Sequence, residues 1–224
     1  MIQDTGDKIL ELIDISLRGR GGRSVFENLN FSLARGETAV ITGPTGAGKT
    51  SLAELIIGAR KPDSGTIIVF GRTLKIKQYG LLSRVRRQIG GVGGLYSLVA
   101  SQTVRENLLN PLILDGDSVS SQKLKMQRVL TRFNLTERQN EPAGNLSQGE
   151  RMVVMLARAI IADQPFLLID EPLVGVDSDK AGDLLEILKR LAVAGHSMII
   201  FTSRPRDLAI PQMTEYTLRD GRLT

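Results

Sequence analysis

Apolar positions recur along this chain with two different periods. Residues 8–17 (KILELIDISL) partly alternate and predict a strand, and Leu29, Phe31 and Leu33 alternate in a second before Arg35-Gly36 turns the chain. Thr38 to Thr42 (TAVIT) is continuously apolar, which suits a buried parallel strand, and it ends at Gly43. Helical spacing is expected over 49–59, a turn at Pro62-Asp63-Ser64-Gly65 and a strand over 66–70. After Val92 the strand signals fade, and Leu124, Val129, Leu130 and Phe133 give residues 121–133 a helical pattern. From 149 the rhythm returns: helix 149–162, strand 166–170, helix 179–193, strand 197–202, a run at 214–218 and a turn at Asp220-Gly221. Strands alternating with helices predict an α/β fold with a mostly parallel sheet, interrupted by a helical insertion over about 80–145.

Composition narrows the reading. A chain of 224 residues fits one large domain, or one domain with a subdomain, and is long enough to bury a sizeable core. Aromatics are only 4% with no Trp, which argues against stacking platforms for single-stranded nucleic acid. The net charge of +5 suits partners bearing phosphate, such as nucleic acid or an anionic membrane surface, and equally a solvated basic face. With no cysteine there are no disulfides or thiolate metal sites, which fits a reducing compartment. Met1–Asp7 is polar and does not read as a signal peptide, and no apolar run approaches the roughly 18 residues a spanning helix needs.

Candidate chemistry centres on Gly43-Pro44-Thr45-Gly46-Ala47-Gly48-Lys49-Thr50, which fits G-x-x-x-x-G-K-[ST], followed by Ser51. Glycines let backbone N–H groups turn inward around phosphate oxygens without a Cβ clash, and the helix starting near Lys49 adds the positive end of its dipole. Lys49 supplies a charge for the β/γ-phosphates, and the Thr50 hydroxyl is a candidate Mg²⁺ ligand. A hydrophobic strand, Phe166 to Ile169, ends on the pair Asp170-Glu171. Ligands of open α/β sheets bind beyond the carboxyl ends of the strands, so Asp170 is the second candidate for Mg²⁺ and Glu171 a candidate to polarise an attacking water. ATP and Mg²⁺ are therefore the expected ligands, and Lys49 and Glu171 the expected catalytic groups.

Leu146-Ser147-Gln148-Gly149-Glu150, before a helix and that strand, completes a resemblance to the ABC (ATP-binding cassette) ATPase family, whose signature reads LSGGQ or LSGGE. The resemblance covers nearly the whole chain. Pro62–Gly65, Thr103-Val104-Arg105-Glu106-Asn107, Ala157-Arg158-Ala159, Gly175-Val176-Asp177 and Asp220-Gly221 resemble further family segments. Asn107, Pro111 and Leu112 resemble its lipoprotein-release, macrolide-export and cell-division branch. It implies a P-loop NTPase fold: a core of 1–80 and 146–224 with an antiparallel N-terminal β part, and a helical subdomain at 81–145. It also implies a homodimer or heterodimer in which Ser147, Gln148 and Gly149 close on the γ-phosphate held by the other subunit. An integral membrane subunit would be the partner, the place of work the cytoplasmic face of a membrane, and no nucleic acid is expected.

Four positions depart from the family pattern. Gly94 stands at the Q-loop Gln, Ser203 at the switch His, and Gln148 at the second signature Gly, while no adenine-stacking aromatic lies near Arg18 to Arg20. His196 precedes the strand 197–202 and reads as a loop residue. An Arg from the 18–23 loop would be a substitute stacking group, and Arg204 or Arg206, flanking Pro205, a substitute γ-phosphate contact or plain surface charge. Phosphoryl transfer depends on positioning and charge stabilisation, so these losses predict firm Mg-ATP binding with slow hydrolysis. A nucleotide-gated clamp that barely turns over is the alternative. Only 95 residues separate Thr50 from Leu146, which leaves no room for the coiled coil of chromosome-type ATPases.

Overall fold

The computed structural model describes residues 8–19, 21–75 and 77–224, without the side chains of Leu95 and Arg206. The expectations for Met1–Asp7 and for Arg20 lie outside the described residues. In chain order the elements are β1 (Lys8–Arg18), β2 (Ser24–Ala34), β3 (Thr38–Thr42), α1 (Lys49–Ile56), β4 (Ser64–Val69), β5 (Arg72–Thr73), α2 (Tyr79–Arg87), β6 (Ile89–Val92), α3 (Val104–Asp115), α4 (Val119–Arg132), α5 (Gln148–Ile160), β7 (Phe166–Asp170), α6 (Ser178–Val193), β8 (Ser197–Thr202), β9 (Met213–Arg219) and β10 (Arg222–Leu223). Two compact units result. One is built from the chain's two ends, up to Arg86 and from Lys189 onward, and the other is Arg87–Leu188.

The first unit holds an antiparallel sheet in the order β2-β1-β4-β5 and, in a second sheet, β3 flanked by β8 and β9 and parallel to both. β3 is buried at every position from Thr38 to Ile41, as a strand covered on both faces must be. Ile9, Leu17, Leu33 and Phe26 are buried from the antiparallel sheet, and Phe31 meets the Tyr216 ring of β9 edge-on at 5.1 Å. Helix α1 stops at Ile56, short of the expected residue 59. Gly58 takes a left-handed φ of 65°, and its N–H donates to the Leu55 carbonyl, which ends the helix as a glycine cap.

The second unit pairs β6 with β7 in parallel and packs them with α3, α4 and α5. Helix α3 carries no clear helical period in the sequence, whereas α2 sets its few apolar residues on one face of a short, basic segment. α2 buries only Leu82 and Val85, and α3 runs through Pro111, a residue that removes one helix hydrogen bond. A capping box starts α3: the Thr103 hydroxyl accepts from Glu106 N, and the Glu106 carboxylate accepts from Thr103 N at 2.7 Å.

Asn107 is the one completely buried polar side chain among the described residues. Its Oδ1 accepts from Val99 N at 2.9 Å, and its Nδ2 donates to the carbonyls of Val99 (3.1 Å) and Thr103 (3.0 Å), so it holds the 99–103 loop to α3. Asn107→Leu strands these backbone groups without water. We expect a loss of about 1–3 kcal/mol in a urea unfolding experiment.

Candidate functional site

The phosphate-loop residues sit at the carboxyl end of β3, and each glycine there answers a separate steric demand. A Cβ on Gly43 would lie 2.5 Å from the Leu218 carbonyl oxygen of β9. Gly46 and Gly48 are left-handed, with φ of 85° and 107°. A Cβ on Gly48 would also lie 2.9 Å from Val25 Cγ1 and 3.0 Å from the Phe26 ring. Gly48 caps α1 without any side-chain bond, so the first-turn N–H groups are left to face a ligand. Lys49 Nζ donates to the carbonyls of Gly43 (2.5 Å) and Pro44 (3.3 Å), which holds the ammonium at the mouth of the loop. Thr50 is exposed, whereas the Ser51 hydroxyl is committed to Arg60 at 3.3 Å. Pro44, Thr45 and Gly46 are exposed, and the Ala47 N–H turns back to the Pro44 carbonyl. Val25 and Phe26 provide walls that the local alternation does not signal, because Phe26 is out of phase with Leu29, Phe31 and Leu33 and the register shifts between them.

Register places another expected position at this edge. Thr42 pairs with Thr202, so Ser203 follows β8 where Gly43 follows β3. His196 lies at the opposite end of β8, its N–H donating to the Leu191 carbonyl, and it acts as a loop residue. The Arg204 N–H donates to Thr202 Oγ1 at 3.0 Å, and the expectation for the Arg206 side chain falls outside the described residues. The Arg18 backbone is bound to Asp63 and to Arg60, which anchors the start of the 18–23 loop.

In the second unit Asp170 and Glu171 are half-buried at the end of β7, and Glu171 has a left-handed φ of 48°. A non-glycine residue in that conformation is strained, and such strain gathers at functional sites. The Gly93-Gly94 turn lies directly on Asp170. A Cβ on Gly93 would fall 2.2 Å from the Asp170 carbonyl oxygen, and one on Gly94 2.3 Å from Asp170 Oδ2. A Cβ on Gly91 would meet the Tyr96 ring at 2.1 Å. Arg158 of α5 clamps the segment from below, donating to the Ser97 carbonyl at 3.0 Å and to the Tyr96 carbonyl. Burial pushes the Arg158 pKa down. Its role was legible only as part of a motif, because its partners are main-chain atoms some sixty residues away.

Ser147 is the N-cap of α5 within a second capping box: its hydroxyl accepts from Glu150 N at 3.3 Å, and the Glu150 carboxylate accepts from Ser147 N at 2.9 Å. Gln148 is exposed, and Gly149 is buried where a Cβ would lie 3.0 Å from Lys180 Cβ and 3.2 Å from Val176 Cγ1. The 175–180 turn thus supports the 147–149 backbone, and Asp177 Oδ1 accepts from Lys180 N at 2.9 Å. No cluster of His, Cys, Asp or Glu among the described residues has the makings of a metal site by itself.

A phosphate loop on one parallel strand, an acidic pair ending another and a capped helix start after Leu146 are accompanied by a match of residues 26–174 to the sequence model of the family described as ABC transporter. The chain belongs to the ABC transporter family. The cassette is 32% identical over 186 residues to the lipoprotein-releasing system ATP-binding protein LolD of Xylella fastidiosa, covering 83% of this chain and 78% of that protein. It is 29% identical to the macrolide export ATP-binding/permease protein MacB of Hyphomonas neptunium, across 96% of this chain but only 34% of that one. These relatives match the branch that Asn107, Pro111 and Leu112 suggest. Among solved structures it is similar to the ATP-binding cassette MJ0796, a dimer bound to ADP and Pi, with a TM-score of 0.85, 24% identity and 96% of both chains covered. A second, an ATP binding subunit of an ABC transporter, is 26% identical with a TM-score of 0.80, covering 96% of this chain and 88% of that one. The fold expectation of a P-loop NTPase with parallel strands, an antiparallel β part and helices agrees with these structures.

Two outcomes follow from this geometry. Gly94→Gln places a side chain against Asp170 and forces a non-glycine residue to φ 40°. It is expected to cost on the order of 1–3 kcal/mol in urea unfolding and to leave phosphate release no faster than before. The second outcome concerns Glu150, whose carboxyl is held below its usual range first by the Ser147 N–H, against an opposing cost of burial, with help from the Ser147 hydroxyl, Arg138 and Lys180. A depressed carboxyl stabilises the fold at pH values above its unfolded pKa, and that contribution disappears as pH falls through the folded value. Glu150→Gln should therefore lose less stability than the parent between pH 5 and the acid limit, measured by thermal melts across that range.

Proposed function

We propose that this cassette binds Mg-ATP, hydrolyses it slowly and couples that cycle to an integral membrane subunit. The observation that carries the reading is the retention of Lys49, Thr50, Asp170 and Glu171 at the carboxyl ends of β3 and β7, beside glycines whose backbone conformation no other residue adopts without strain. In this reading residues 1–80 and 146–224 make the nucleotide-binding core and 81–145 the helical subdomain. The loop from Gly43 to Thr50 wraps the phosphates with N–H groups, and Lys49 exchanges its loop carbonyls for the β/γ-oxygens. The exposed Thr50 hydroxyl and the Asp170 carboxylate are hard oxygen donors that fit Mg²⁺, which would offset phosphate charge. Glu171 orients the water that attacks the γ-phosphorus in line, and ADP leaves as the bond to the bridging oxygen breaks. Ser147, Gln148 and Gly149 meet the γ-phosphate of a second subunit, the same chain or an unlike one. The main-chain N–H groups at the start of α5 provide the donors, so Gln148 in place of a glycine leaves that contact intact.

Slow turnover follows from two missing side chains. Gly94 offers no side-chain amide to the metal or water, and Ser203 is too short to replace an imidazole at the γ-phosphate. No helix among the described residues is long and apolar enough to cross a membrane, so attachment to the cytoplasmic face rests on a membrane partner. The similarity to proteins named for lipoprotein release and macrolide export supports a partner of that export class. A second reading, a nucleotide-gated clamp, is favoured by the close approach of Gly94 to Asp170, where a side chain's Cβ would crowd the carboxylate.

Comparison of the parent with Glu171→Gln and Lys49→Ala tests these readings. Phosphate release below about one per second in the parent, abolished in Glu171→Gln with an ATP-bound dimer trapped, supports the slow ATPase. Equal inertness of parent and Glu171→Gln, with dimers formed by both on ATP, supports the clamp. Lys49→Ala is expected to lose ATP affinity by at least tenfold, read by fluorescent-nucleotide titration.

A further inference from the structure

Charge is unevenly spread along this chain. Residues 60–86 carry seven basic side chains and one acidic one, Asp63, a net +6, whereas the other 197 residues together carry −1. The structure sorts these charges further. Asp63 is occupied by the Arg18 backbone N–H at 2.7 Å. Arg60 is spent on Ser51, Glu54 and the Arg18 carbonyl, and Arg86 on the carbonyls of Ile57 and Gly58. Lys61, Arg72, Lys75 and Lys77 are exposed and have no ion-pair partner among the described residues. Lys61, Lys75 and Lys77 rim an open cavity of about 600 Å³ whose floor is apolar, with Leu55, Ile67 and Leu74. Beside it Tyr79, at the start of α2, is 78% exposed.

We propose that this basic rim, with Tyr79, rests on anionic phospholipid headgroups at a membrane surface. The type of cation decides between partners. A defined acidic peptide is best gripped by pre-organised guanidinium forks, which bind carboxylates in a fixed bidentate geometry. Arg60, which lines the cavity, and Arg86 beside it are instead consumed by the protein's own oxygen atoms, and the charged groups exposed at the rim are Lys61, Lys75 and Lys77 on flexible stems, with Arg72 exposed nearby. Lysines act as mobile point charges, and a bilayer presents many anions without a fixed register. Their methylene stems can lie along the apolar floor while the ammonium groups reach phosphate, and an exposed tyrosine suits the headgroup level, with an apolar ring and a polar tip. The contact adds to the membrane-side location proposed above and does not involve the nucleotide residues, so the two readings fail separately.

The test is flotation of the purified full chain with vesicles of phosphatidylcholine alone, or with about a third phosphatidylglycerol. Binding is expected only to the anionic vesicles, weakening as salt shortens the Debye length to about 10 Å at 0.1 M and below. Lys61→Ala/Lys75→Ala/Lys77→Ala should weaken it by on the order of a hundredfold, from about fivefold per lysine (about 1 kcal/mol each), and Tyr79→Ala further. Lys123→Ala/Arg128→Ala/Arg132→Ala on α4 removes the same charge elsewhere and should leave most of the binding in place. ATP binding by every variant confirms folding. The inference is overturned if anionic vesicles are not bound, if neutral vesicles bind equally, if the two triple variants lose binding equally, or if the rim binds an acidic polypeptide but no vesicle. Vesicle binding without ATP turnover would sink the ATPase reading alone, and steady turnover without vesicle binding would sink this one alone.

Discussion

β3 lies between β8 and β9 and runs parallel to both, and this alignment brings Thr42, Thr202 and Thr217 level with one another at a single edge. The Thr42 hydroxyl donates to the Tyr216 carbonyl at 3.2 Å, so the edge is tied laterally. β3 and β8 both end at this level and hand on their next residues there: Gly43 opens the phosphate loop and Ser203 follows β8. Parallel pairing requires long crossover connections, and only a chain returning from distant residues can supply them. The phosphate loop is therefore held in place by segments from residues 197–219, far from it in sequence.

Close backbone approach is the second constraint, and it explains glycines that a motif alone does not. Gly43 yields to the Leu218 carbonyl and Gly48 to Phe26. Gly90 makes room for the Ala159 carbonyl of α5, Gly91 for the Tyr96 ring and Gly94 for the Asp170 carboxylate. In the second unit these contacts draw α5, β6 and the 93–97 turn tightly together, with Arg158 holding the turn's carbonyls. At position 94, where the family pattern has glutamine, a Cβ would lie 2.3 Å from Asp170 Oδ2, so the close approach itself favours glycine.

Capping is the third recurring device. Thr103-Glu106 and Ser147-Glu150 start α3 and α5 with the same reciprocal pair of bonds. The second box fixes the main chain of the signature segment, and the 175–180 turn supports it through Val176 and Lys180. A helix start held this way keeps its remaining N–H groups aligned, which is the property an anion site depends on.

Much of this was legible in the residues alone. Strands 38–42, 166–170 and 197–202 have the predicted bounds because a strand buried on both faces writes itself as an unbroken apolar run. The phosphate loop and the Asp170-Glu171 pair were legible because each is a local pattern whose chemistry acts over a few residues. Helix α3 was not, since it contains a proline and its apolar residues favour no one face, and α2 is a short, basic helix that buries only two side chains. Nor were the left-handed Glu171, the Phe26 ring beside Gly48, the Arg158 clamp or the close approach of Gly94 to Asp170. Each arises where two distant segments compete for the same few ångströms of space, so packing alone decided it. The sequence by itself determined the local patterns of the candidate site; tertiary structure decided how each group is held, because a hydrogen bond or a collision with a distant carbonyl leaves no trace in the local pattern.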